Sequence, residues 1–119
     1  MPDFRLNFVR QGKGAPPIVF VHGYLCRLED WRFQVAHFAK THETIALDLR
    51  GMGRSPLGEE PLTIDQLGQD VADLLVRENL KGAILVGHSM GCRVVTEACT
   101  RAPDRVAGIV LVDGSRTVG

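Results

Sequence analysis

The chain has 119 residues, with 14 Lys+Arg against 14 Asp+Glu and a formal net charge of zero, which leaves room for one domain. Hydrophobic residues make up 45% and charged residues 24%, the proportions of a soluble globular protein, and no apolar run is long enough to span a bilayer. The balanced charge, with no Lys/Arg cluster, argues against nucleic acid or an anionic membrane surface as partner.

The first residues lack the basic and apolar regions of a signal peptide, so a soluble, cytoplasmic protein is expected. Cys26, Cys92 and Cys99 show neither a paired spacing nor a zinc-ligand pattern and read as reduced, partly buried side chains.

In chain order, Phe4–Val9 predicts a first strand, and Gln11 to Pro17 a hairpin-type turn into a second, Ile18–Val21. Trp31, Val35 and Phe38 recur at helical spacing, with Asp30 as N-cap. A third strand follows at Thr44–Leu47. Thr63 and Gln66 fit a capping box, with Leu62 and Leu67 at staple positions, and open a second helix whose stripe runs through Ile64, Val71, Leu74 and Leu75 to a stop at Lys81-Gly82. Ala83–Val86 predicts a fourth strand, Met90 to Arg101 a third helix stopped by Pro103, and Ile109–Val112 a fifth strand. The later strands are apolar at nearly every position, as in a parallel sheet covered on both faces. The fold class is therefore α/β: a mostly parallel, doubly wound sheet with helices on both faces and an antiparallel first strand.

Three motifs follow strands. Gly87-His88-Ser89-Met90-Gly91 is a G-x-S-x-G between a strand and a helix. Such a turn projects a serine above the strand end, beside helix N–H groups that stabilise negative charge. An ordinary N-cap serine needs no glycine on both sides. His22-Gly23-Tyr24 leaves another strand end, and the Tyr24 and Met90 backbone N–H groups can form a two-donor oxyanion hole. His22 itself reads as a structural histidine in preference to a functional one. Asp48-Leu49-Arg50-Gly51-Met52-Gly53-Arg54-Ser55 matches neither phosphate-loop pattern and reads as a structural loop held by Asp48 and Arg50.

Together, and in this order, the three motifs resemble the N-terminal landmarks of the α/β-hydrolase superfamily, over essentially all 119 residues. The resemblance implies Ser89 as nucleophile, the Tyr24 and Met90 N–H groups as oxyanion hole, and no metal or organic cofactor. Serine at the elbow, in place of aspartate, points away from epoxide hydrolases and haloalkane dehalogenases, towards esterases, enol-lactonases and C–C bond hydrolases. The implied substrate is a small ester, lactone or thioester. Cys92 stands where many relatives carry another glycine, a departure expected to touch packing and not chemistry.

The superfamily order is nucleophile, acid, histidine. Here all four histidines (His22, His37, His42 and His88) precede Ser89, and none is a credible base. Asp113 falls where some relatives place their acid, although a loop-capping carboxylate is the preferred reading. Residues 1–119 thus resemble the N-terminal part of a hydrolase domain without its C-terminal strands, cap and catalytic histidine, and the chain alone is expected to be inactive. Ile109–Val112 is expected to be an interior strand of a complete sheet, so its free edge favours association with a second copy. The alternative is a non-catalytic or truncated ligand-binding or scaffold protein on the same fold.

Overall fold

The computed structural model describes residues 4–114. Strands β1 (Phe8–Gln11), β2 (Ile18–Val21), β3 (Thr44–Leu47), β4 (Ala83–His88) and β5 (Val106–Val112) form one sheet in the order β1-β3-β2-β4-β5. β1 runs antiparallel to β3, and every other pair is parallel. Helices α1 (Arg32–Phe38), α2 (Ile64–Arg77) and α3 (Met90–Arg101) connect them. This is the expected α/β architecture.

Alternation along β2 explains how both faces fill. Val19 and Val21 face α2 and α3, among Leu67, Val71, Leu75, Val94 and Val95. Ile18 and Phe20 face the opposite layer, where Leu28, Trp31 and Val35 pack. Phe20 and Trp31 anchor that second layer, with ring centroids 5.0 Å apart. All four residues of β2 are buried, as a strand covered on both sides requires.

Several boundaries differ from the expectation. β1 starts at Phe8 and not Phe4, because the preceding residues spend their polar groups and side chains elsewhere. Phe4 lies over the Arg50 guanidinium at 3.6 Å, and the Asn7 N–H donates to Ser55 Oγ at 2.8 Å. The segment from Gln11 to Pro17 is no hairpin, since β3 lies between β1 and β2. Asp30 does not cap α1. It sits inside a 3-10 turn, Leu28–Trp31, and accepts the Arg27 N–H at 3.3 Å.

Thr63 caps α2 as expected, accepting the Gln66 N–H at 3.1 Å, but Gln66 turns its own amide to Asp70 and leaves the box half made. Leu62, the outer staple position, is 46% exposed. α2 stops at Arg77, before the expected Lys81-Gly82, and Asn79 takes the left-handed conformation at φ 53°. β4 extends through Gly87 and His88, which pair with Leu111 and Val112, and β5 begins already at Val106.

β2 and β4 are neighbours, with Val21 opposite Gly87. The chain leaves β2 through α1 towards β3, and leaves β4 through α3 towards β5, on the other side. The connections diverge between these two strands. In a doubly wound sheet that divergence opens a crevice at the strands' carboxyl ends, where ligands bind.

Candidate active site

Ser89 stands at that crevice, between the last residue of β4 and the first of α3. Its backbone takes φ 56°, ψ −119°, a region L-residues rarely occupy, at a cost of about 1–3 kcal/mol. The surroundings impose this conformation. The Ser89 N–H donates to the Val112 carbonyl at 3.0 Å, and the Ser89 carbonyl accepts the Cys92 N–H at 3.0 Å. Gly87 and Gly91 permit the tight turn: a Cβ on Gly87 would collide with the Gly91 carbonyl, and one on Gly91 with the carbonyls of Val21 and His22. The side chain of Ser89 is exposed.

The loop after β2 lies alongside. A Cβ on Gly23 would stand 3.1 Å from Ser89 Cβ and 3.2 Å from the His88 carbonyl oxygen. Tyr24 is therefore the next residue along from a backbone already touching Ser89. Met90 is the first residue of α3, so its N–H has no acceptor within the helix. Among the described residues neither the Tyr24 nor the Met90 N–H donates a backbone hydrogen bond. Both residues line one cleft of about 240 Å³, walled otherwise mainly by Met52, Leu62, Ile64 and Leu67. Tyr24 and Met90 thus share a cleft, and Ser89, which does not line it, neighbours Met90 along the chain and the loop before Tyr24 through Gly23.

None of the four histidines lines that cleft, although the His88 ring, like Ser89, lies close to Gly23. His22 is 1% exposed and wedged between two backbone groups: its Nε2 accepts the Leu49 N–H at 2.9 Å and its Nδ1 donates to the Gly23 carbonyl at 2.6 Å. This arrangement needs the neutral ring, and burial lowers the His22 pKa below its usual value in spite of the Gly23 bond. His88 sets its ring edge-on to Trp31, 6.3 Å between centroids, in a separate cleft of about 270 Å³. His37 and His42 flank Phe38 near the start of β3, at the opposite end of the parallel strands from Ser89. Asp113 follows β5 with φ 51°, immediately after the Val112 carbonyl that binds Ser89.

The loop after β3 is held by buried polar bonds, while its Met52 forms part of the wall of the Tyr24–Met90 cleft. Asp48 is fully buried, and its carboxylate accepts from the Leu28 N–H at 2.8 Å, the Asn7 amide at 2.9 Å and the Arg54 N–H at 3.0 Å. Arg50 makes a two-pronged, buried ion pair with Asp70 of α2 at 2.7 and 2.8 Å. These bonds hold the segments around the crevice without entering it. Cys92 is buried under the elbow, its Sγ 3.3 Å from the Gly87 carbonyl. Among the described residues no group of three or more His, Cys, Asp or Glu side chains is placed to hold a metal ion. Sequence reasoning missed Arg93, which lines the Tyr24–Met90 cleft. Its only signal was the spacing of four residues from Ser89 on one helix.

A family model described as alpha/beta hydrolase fold matches residues 16–118. The chain belongs to the alpha/beta hydrolase fold family. Its relatives differ in activity. One is the dihydrolipoyllysine-residue acetyltransferase component of the acetoin cleaving system of Cupriavidus necator, 34% identical over 91% of this chain and 29% of the relative. Another is epoxide hydrolase 1 of Caenorhabditis elegans, 31% identical over 89% of this chain and 27% of the relative. Among solved structures, an N-acyl homoserine lactone degrading enzyme superposes with TM-score 0.85 and 30% identity, over 92% of this alpha/beta hydrolase chain and 42% of that one. The chain therefore spans under half the length of these relatives. No helix among the described residues is long and apolar enough to cross a membrane.

Proposed function

We propose that this alpha/beta hydrolase chain carries the nucleophile and oxyanion hole of a serine hydrolase acting on a carboxylic ester, lactone or thioester. The observation that carries the reading is the conformation of Ser89, strained, exposed and seated at the divergence of β2 and β4. Its Oγ attacks the substrate carbonyl carbon while a base takes the hydroxyl proton. The carbonyl π electrons move to oxygen, and the oxyanion sits between the Tyr24 and Met90 N–H groups. The tetrahedral intermediate collapses, the leaving group departs with the proton, and an acyl group remains on Ser89. Water, deprotonated by the same base, then releases the acid and returns the proton to Ser89.

The base in this reading is a histidine outside residues 1–119. Support comes from His22, whose two ring nitrogens both bond backbone groups, from His88, whose ring packs edge-on to Trp31, and from His37 and His42 at the opposite end of the strands. A serine without a base is a weak nucleophile at its free pKa, so the 119-residue chain alone should turn over esters near background. The test is turnover of a short-chain ester by the full-length natural protein and by its Ser89→Ala variant. The reading expects a loss of at least about a thousandfold. Undiminished turnover in the variant would remove Ser89 from the chemistry, and absence of turnover in the natural protein would favour a ligand-binding role for the same cleft.

A further inference from the structure

Among the described residues, one charged side chain, Arg93, lines the cleft next to Ser89. Arg93 lies on α3 four residues after Ser89, about 6 Å along the same helix. It is only partly exposed, and among the described residues it makes no hydrogen bond or ion pair. Arg50, which is buried, behaves differently: it is saturated by Asp70, the Leu57 carbonyl and the Phe4 ring. The walls facing Arg93 are Met52, Leu62, Ile64, Leu67 and Met90, and no carboxylate of the described residues lines the cleft. A guanidinium keeps its charge at every physiological pH and presents a planar fork matched to a carboxylate. Holding it unpaired against apolar walls sacrifices hydration that a bound anion would restore.

We infer that Arg93 is a specificity determinant that binds a carboxylate at the far end of the acyl group, so that the substrate is a half-ester, half-thioester or lactone of a short dicarboxylic acid. The inference rests on the proposed role of Ser89 for the reaction, but not for the binding. The apolar walls accommodate the methylene chain. The carboxylate pairs with Arg93 while the other carbonyl lies at the elbow, one helical turn away. Charge-assisted pairing of this kind discriminates an acid from its methyl-terminated analogue by about 10- to 100-fold.

The experiment compares two esters with the same leaving group, mono-4-nitrophenyl glutarate and 4-nitrophenyl pentanoate, in the full-length natural protein. The expected ratio of kcat/KM favours the glutarate by at least about tenfold. Arg93→Met should bring that ratio close to one, mainly by raising KM for the glutarate, and Arg93→Lys should retain most of it. Because Arg93 bonds to no described residue, the Met variant leaves no partner unpaired and should fold. A ratio near one in the natural protein, or an equal fall for both esters in Arg93→Met, would overturn the inference. A second measurement separates it from the Ser89 reading: heat of binding of glutarate to Ser89→Ala and to Ser89→Ala combined with Arg93→Met. Binding to the first and not the second supports Arg93 even where no ester is turned over. Equal binding, or none, to both refutes it.

Discussion

His22 shows how a residue at the end of β2 can be wholly occupied with holding the loop that follows it. Its ring accepts from Leu49 and donates to Gly23, joining the ends of β2 and β3, and both bonds require a single proton on Nδ1. Burial lowers its pKa from 6.5. The unfolded chain therefore binds a proton at a pH where the native state does not. Stability linked to this group is complete above about pH 6.5 and is lost as pH falls below it, towards the folded pKa. Urea midpoints should fall on acidification from about pH 7 to pH 5, and His22→Phe should flatten that limb. The same variant orphans a buried N–H and a carbonyl and should cost about 2–5 kcal/mol at neutral pH. An unchanged pH limb would show that His22 titrates alike in both states. In the sequence, His22 already read as a structural histidine bonding nearby backbone. The partner Leu49 was invisible, since pairing residues 27 apart depends on which strands become neighbours.

At the scale of elements, buried side-chain bonds tie the loops near the crevice to the helices. The Arg50–Asp70 pair ties the loop after β3 to α2, with both side chains almost fully buried. Asp70→Ala leaves a buried cation without its counter-ion and should destabilise the fold by about 3–5 kcal/mol, measured by denaturant unfolding. Replacing both residues with apolar ones should cost clearly less, because the penalty lies mostly in the orphaned charge. Gly91→Ala should be as severe, since its Cβ meets two backbone carbonyls that cannot move aside. A Gly91→Ala protein with wild-type melting behaviour would contradict the close approach of α3 to β2. Which residues form α3 and β2 was legible from periodicity and apolar runs. The ends of β1, β4 and α2 were not, because ladder pairing with β3 and β5 and the turn at Asn79 set them, and none is a local property.

For the whole molecule, the two edges of the sheet differ in character. β1 carries Arg10, which pairs with Glu43 and Glu78, so that edge is charged. β5 is an uncharged Val-Ala-Gly-Ile-Val-Leu-Val strand, with Val110 46%, Leu111 37% and Val112 38% exposed. Such an edge templates pairing with another chain. We expect residues 1–119 alone to self-associate, with light scattering giving a mass that rises with concentration, and Val110→Lys to suppress it. A monomer at every concentration would defeat this expectation. The candidate site was legible as a proposal because each of its parts is local to a turn: the glycines around Ser89, and the N–H groups of Tyr24 and Met90. Arg93 escaped notice because a lone cation four residues along a helix is ordinary until α2 closes an apolar wall opposite it. The central claim is that Ser89 is the nucleophile. The most direct test is mass spectrometry of the full-length natural protein after a fluorophosphonate probe. The account predicts one adduct, on the peptide containing Ser89, absent in Ser89→Ala and suppressed by substrate. An unlabelled Ser89 beside a labelled residue elsewhere, with esterase activity intact, would contradict it.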